Sequence, residues 1–139
     1  MPVKYTNDDI LNITAFENMT KSQVMDYLND DNTLYFVVKS DNFMKLIGRD
    51  GVMIKEIKRK MNQNLILYKY SDNVEEFTKN LMPVPVKKFD LTEHENNRTI
   101  TVEIEKRNKG LLIGRGGKTI NIIKTFLKRQ FNIDNIKIV

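Results

Sequence analysis

A five-residue segment occurs twice in this chain, and the second copy fixes how the chain can fold. Ile47-Gly48-Arg49-Asp50-Gly51 returns as Ile113-Gly114-Arg115-Gly116-Gly117, 66 positions later (114 − 48) in 139 residues. A single Gly-x-x-Gly would be a weak signal, but this repeat extends to both sides of it. The same offset places Leu34, Phe36 and Val38 on Ile100, Val102 and Ile104, and Leu46 on Leu112. Past the glycines, Ile54, Ile57 and Met61 fall on Ile120, Ile123 and Leu127. Upstream, Thr6 with Asp9 falls on Asp72 with Glu75. Each of these pairs reads as a helix N-cap followed three positions later by an acid that reaches back to open backbone amides. Two copies are too few for a solenoid, and each has enough apolar positions for a small core. The expected organisation is two domains, residues 1–71 and 72–139, meeting at Ser71-Asp72. So short a joint predicts that they sit close and fairly fixed.

Within each copy the apolar periodicity gives helix, strand, strand, helix, glycine turn, helix, strand. In the first, Ile10, Leu11, Ile13, Phe16 and Met19 recur at helical spacing from Asn7. Residues 23–28 and 33–39 read as strands around a four-residue turn, Asn29-Asp30-Asp31-Asn32. Helices over 42–47 and 51–61 flank the glycine turn, and 64–70 is the last strand. In the second copy the helix over 73–81 is stopped by Pro83 and Pro85. Strands over 86–91 and 98–105 form the hairpin, with His94 in its turn among Glu93, Glu95 and Asn96, where it is simply exposed. Helices over 107–113 and 118–131 flank the second glycine turn, and 135–139 ends the chain.

The glycines have a chemical reading. A turn that reverses between two helices while lying flush against a ligand needs positive φ and no obstructing Cβ, which only glycine offers cheaply. Gly51 and Gly117 open the following helix, whose unpaired first amides and dipole suit a phosphate. Arg49 and Arg115 add charge at the same lip. Lys55, Lys58, Arg59 and Lys60 continue it in the first copy, and Lys118, Lys124, Lys128 and Arg129 in the second. The net charge of +5 is uneven: residues 1–71 hold 10 Lys/Arg against 9 Asp/Glu, residues 72–139 hold 13 against 9. An anionic partner fits that balance. Asp50 stands where the second loop has Gly116, so a carboxylate at the first lip repels a phosphate and the second loop should bind more tightly.

Ile-Gly-x-x-Gly between two helices, with another isoleucine three positions on, resembles the K homology (KH) RNA-binding domain. That resemblance implies a loop clamping the sugar-phosphate backbone of about four single-stranded nucleotides, their bases lying between the loop, the following helix and a neighbouring strand. Because only 22 residues follow Gly117 (139 − 117), and the hairpin precedes the loop in both copies, the order is αββααβ, that of the prokaryotic, type II, KH fold. The implied class is α+β: two tandem type II KH domains, each a three-stranded sheet with helices on one face. Two such units, with Tyr70-Ser71-Asp72, Glu75-Glu76-Phe77 and Phe131-Asn132-Ile133-Asp134, resemble the archaeal NusA-like transcription factors over essentially the whole chain. The implied RNA-binding residues are Gly48, Arg49, Asp50, Gly51, Lys55 and Lys58 in the first domain. Gly114, Arg115, Gly116, Gly117, Lys118 and Lys124 are their counterparts in the second. The implied function is single-stranded RNA binding in transcription elongation, termination or antitermination. The alternatives are a ribosome-assembly or RNA-processing role, or a protein module docking on RNA polymerase, which is the second candidate partner.

Other chemistry finds little support. Gly117-Lys118-Thr119 looks like the end of a nucleotide-binding P-loop, but that motif needs glycine where Leu112 stands. One histidine, no cysteine and no nucleophile–base pair leave no metal cluster and no catalytic constellation. No cofactor and no small-molecule substrate is expected. The longest apolar run is Leu34 to Val38, which predicts no membrane span and no signal-peptide core. Absence of cysteine fits the reducing cytoplasm. Tyr5, Tyr27, Tyr35, Tyr68 and Tyr70 could stack on bases, but on strands they read first as packing.

Overall fold

A computed structural model of the chain describes residues 3–139, which divide into two compact units, 1–71 and 72–139. The first runs α1 (Asn7–Thr20), β1 (Gln23–Asp30), β2 (Thr33–Lys39), α2 (Phe43–Ile47), α3 (Val52–Met61) and β3 (Asn64–Lys69). The second repeats the order as α4 (Val74–Leu81), β4 (Lys88–His94), β5 (Asn97–Glu103), α5 (Lys109–Ile113), α6 (Lys118–Phe131) and β6 (Asn135–Ile138). A single turn of 3₁₀ helix, Lys106–Asn108, precedes α5 where the spacing predicts α-helix.

Each unit builds one three-stranded mixed sheet. In the first the order is β1-β2-β3, with β1 antiparallel and β3 parallel to the central β2. The second matches it as β4-β5-β6. The parallel pair requires a crossover, and the two helices around the glycine turn supply it. The hairpins close on only two residues each, Asp31-Asn32 and Glu95-Asn96, all with positive φ. That geometry follows the right-handed twist of the strands, and Asn and Asp tolerate it best. The expected four-residue turn at 29–32 is therefore too long. His94 likewise ends β4 opposite Asn97, outside the turn, with its side chain exposed.

In the first unit the helices pack on the sheet face that carries Leu34, Phe36 and Val38. Phe16 of α1, Tyr27, Leu46 of α2, Ile57 of α3 and Leu65 complete that core. Phe16 stacks on Phe36 with ring centroids 4.3 Å apart, and Tyr27 lies 5.1 Å from Phe36. In the second unit Phe77, Ile100, Val102, Leu112, Ile123, Phe126 and Leu127 are fully buried. β5 alternates as expected, whereas the apolar β2 is buried from Thr33 through Val38. Tyr27 and Tyr35 are buried, and Tyr5, Tyr68 and Tyr70 are half-buried, which makes them packing residues. Burial pushes the Tyr68 hydroxyl up to about 12.

The two N-caps are not equivalent. Thr6 accepts from the Asp9 amide at 3.1 Å, while the Asp9 carboxylate accepts from the Thr6 amide at 3.0 Å, a complete capping box. In the second unit the expected pair Asp72/Glu75 is displaced by one residue. Asn73 is the cap, its side-chain oxygen accepting from the Glu76 amide at 2.9 Å. Thr6→Ala should lower stability by about 1 kcal/mol. Denaturant unfolding of the intact protein checks it, and an unchanged midpoint would count against the cap.

Candidate nucleic-acid interface

The two glycine turns have the same backbone. Gly48 and Gly114 stand at φ/ψ 77/171° and 78/172°, and Gly51 and Gly117 at 75/17° and 79/12°. Between them Asp50 (54/26°) and Gly116 (62/20°) occupy the left-handed region. The reason for the first glycine is steric. A Cβ on Gly48 would lie 2.7 Å from the Met53 amide nitrogen, and one on Gly114 would lie 2.8 Å from that of Thr119. The third position is different: nothing lies within 4 Å of a Cβ on Gly116, and so aspartate can occupy position 50.

The turns consume some of the amides expected to face a ligand. Gly51 and Gly117 donate to the carbonyls of Gly48 and Gly114, and Val52 and Lys118 donate to those of Arg49 and Arg115. What the turns present is the helix dipole together with the side chains of Arg49, Asp50 and Arg115, all exposed. Leu46 and Leu112 anchor each turn in its core, whereas Ile47 is half-buried and Ile113 is 42% exposed.

The lips differ in chemistry more than in shape. Around the first, Met44, Val52 and Met53 are exposed. The same offset places Gly110, Lys118 and Thr119 around the second. Both lips carry exposed apolar side chains, Leu111 and Ile113 on the second, but only the first carries a carboxylate, at position 50.

A groove runs between each following helix and the last strand. In the first unit it is lined by Asn32, Lys55, Lys58, Arg59, Asn62, Gln63 and Asn64, about 650 Å³. Arg59 is paired with Glu56 one turn earlier, which leaves Lys55 and Lys58 as its main cations. In the second unit the groove is about 360 Å³, and Lys124, Lys128 and Arg129 of α6 face Asp134 and Asn135 across Ile133 and Ile136. Lys124 is thus in the groove, whereas Lys118 stays at the loop, six positions earlier on the helix.

Asp134 appears in the sequence only within the segment that carries the family resemblance, because the offset of 66 gives neither it nor the asparagines flanking the grooves a counterpart. The reason is that α6 is one turn longer than α3, 14 residues against 10. The helices end at Asn62 and Asn132, an offset of 70 (132 − 62). The last strands begin at Asn64 and Asn135, an offset of 71 (135 − 64). Asp134 accepts from the Arg98 amide at 2.8 Å and from Lys128 Nζ at 2.7 Å. The Arg98 amide, then Lys128, hold its carboxyl below the usual carboxylate range, so it is ionised at neutral pH. Among the described residues no three His, Cys, Asp or Glu side chains gather as a metal site requires, and no helix is long and apolar enough to cross a membrane.

Residues 71–139 match the family model described as "KhpA/KhpB, KH domain". The whole chain is similar to proteins named "Probable transcription termination protein NusA". In Methanococcus vannielii the identity is 30% over 140 residues, spanning 100% of this chain and 81% of that protein. In Halococcus morrhuae it is 29% over 139 residues, 99% of both. The crystal structure of APE1850 superposes with a TM-score of 0.77 at 25% identity, covering 97% of this chain and 100% of that one.

Proposed function

We propose that this chain, which belongs to the family of archaeal NusA-like proteins, binds single-stranded RNA through two tandem KH domains of the prokaryotic type. Residues 1–71 and 72–139 are the two domains. The observation that carries the reading is the pair of glycine turns with matching dihedrals, each opening into a helix with lysines on its groove side. Gly48, Arg49, Gly51, Lys55 and Lys58 form the first binding surface. Gly114, Arg115, Gly116, Gly117, Lys118 and Lys124 form the second, which is the tighter because no carboxylate stands on its lip. The glycines let backbone approach backbone, and the cations neutralise phosphate.

Such binding would act on a transcript, in elongation, termination or antitermination in the cytoplasm, a reading supported by the name "Probable transcription termination protein NusA" that relatives carry. A second reading has one observation in its favour. The first lip, with Asp50 between exposed Met44, Val52 and Met53, is a poor phosphate clamp and a better protein contact. RNA polymerase is the partner that a transcription factor would offer it.

RNA binding is tested by fluorescence anisotropy with an unstructured RNA and a stem of the same length. The single strand should bind more tightly, because an A-form duplex does not present splayed bases. If each domain clamps about four nucleotides, log affinity should fall with log salt at a slope of about −3 per engaged domain, at roughly 0.7 per phosphate. Equal binding to stem and strand, or no salt dependence, would remove the RNA reading and leave the protein-docking one.

A further inference from the structure

The grooves beside the two turns differ by one carboxylate. The first is lined by cations and uncharged amides, whereas the second contains Asp134. In a wall whose task is only to attract phosphate, an anion works against the purpose. Part of its role is structural, since Oδ2 accepts from the Arg98 amide at 2.8 Å and ties the start of β6 to β5. A neutral asparagine could accept the same bond, only more weakly.

The remaining bonds set a pattern. Lys128 Nζ donates to Asp134 Oδ1 at 2.7 Å and to Asn132 Oδ1 at 3.0 Å. An ammonium has three donors and a carboxylate about four acceptor sites. One N–H of Lys128 and one further acceptor site on each oxygen of Asp134 are left over. The two side chains are 55% and 26% exposed, so a ligand can reach them. By connectivity, the wall presents a donor (Nζ), an acceptor (Oδ1) and a second acceptor (Oδ2), in that order.

We propose that Lys128 and Asp134 together read a guanine, as the base-selective element of the RNA binding proposed above. The Watson–Crick edge of guanine presents O6, N1–H and N2–H: an acceptor and then two donors. Nζ takes O6, Oδ1 takes N1–H and Oδ2 takes N2–H. Uracil puts an oxygen where guanine has its N2–H, and two lone pairs then face each other. Adenine and cytosine put a lone pair at the central position, against Oδ1. A site built to accept donors discriminates strongly against a ligand that lacks them, because its own polar atoms lose their partners. Ile136, half-buried over the buried Ile133, lines the same groove and gives the face of the base an apolar surface.

The placement suits a strand held by the second glycine turn. Lys118 and Lys128 lie ten residues apart on α6, about 15 Å at 1.5 Å per residue, so the guanine sits at the far end of the clamped segment. The first unit has no equivalent. Only Gln63 separates Asn62 from Asn64, where the second unit has Ile133 and Asp134 between Asn132 and Asn135.

The test uses the intact protein and oligouridines carrying a single substituted base, read by anisotropy. One guanine should raise affinity about tenfold over the all-uridine strand, the scale of one good bidentate base contact. Adenine or cytosine at that place should not. Inosine, which lacks the N2 amine, should lose several-fold of the gain. Asp134→Asn should abolish the guanine preference while strengthening binding to all-uridine RNA, because an anion has left the groove. A guanine preference that survives Asp134→Asn overturns the proposal. If that variant fails to fold, inosine decides on the unaltered protein, and binding as tight as guanosine overturns it. Equal, salt-dependent affinity for all four bases overturns the guanine reader and leaves RNA binding standing. No affinity for any strand overturns both.

Discussion

Gly114→Ala should destabilise the second unit by roughly 2–6 kcal/mol, as the sum of two costs. The first is conformational: φ 78° with ψ 172° is a region essentially reserved for glycine, worth about 1–3 kcal/mol to any other residue. The second is steric. The new Cβ would stand 2.4 Å from Thr119 Oγ1 and 2.8 Å from both the Thr119 Cβ and its amide nitrogen. The hydroxyl can rotate away, but the amide belongs to the first turn of α6 and moves only if that helix start moves. Relief by overpacking of this kind adds about 1–3 kcal/mol. For a domain of this size the loss corresponds to a fall in melting temperature of about 10 °C or more. Hydrogen exchange should localise it to the second unit. Gly116→Ala is the internal control, because its Cβ meets nothing and only the positive φ costs, about 1 kcal/mol. If both alanines lower stability equally, the close approach at Gly114 is not what requires glycine there.

That contrast also separates what the sequence discloses from what it conceals. The repeat is legible because hydrophobic spacing and glycine turns are local requirements, and the offset of 66 holds from Leu34/Ile100 to Met61/Leu127. It stops being legible where α6 continues for one more turn, since an extra turn leaves the buried face in phase but shifts everything after it. Asp134 faces Lys128 only because of that turn, and no fixed offset brings it into view. The second N-cap is hidden from the sequence for a related reason. Asp72 and Asn73 are both good caps by residue type, and only backbone geometry selects Asn73, whose φ/ψ of −92/123° lets its side chain reach the Glu76 amide. The glycine pattern does not reveal which positions need glycine for space. Gly114 does, and Gly116 does not.

Because position 116 has room, one substitution there isolates charge from shape. Gly116→Asp should fold normally: Asp50 already holds the equivalent position at φ 54°, and aspartate is among the residues that tolerate that region. It places a carboxylate on the second lip. Two unit charges about 5 Å apart repel by about 0.8 kcal/mol in bulk water and about 3 kcal/mol at an effective dielectric of 20. Exposure keeps the effect near the lower end, so the expected loss of RNA affinity is about five- to tenfold, shrinking as salt rises. Changing Arg115 together with Gly116 to aspartate should cost more than Arg49→Asp does beside the existing Asp50. The reverse substitution, Asp50→Gly, discriminates between the two readings of the first unit. If that turn clamps phosphate, removing the carboxylate should raise RNA affinity several-fold and steepen its salt dependence. If its apolar lip serves a protein partner instead, RNA affinity should not move, because no phosphate lies near enough to feel the charge. Titration of the three single variants and the double variant with one unstructured RNA at two salt concentrations measures all of this. A larger loss from Arg49→Asp than from Gly116→Asp and Arg115→Asp together would reverse the ranking and make the first turn the principal clamp.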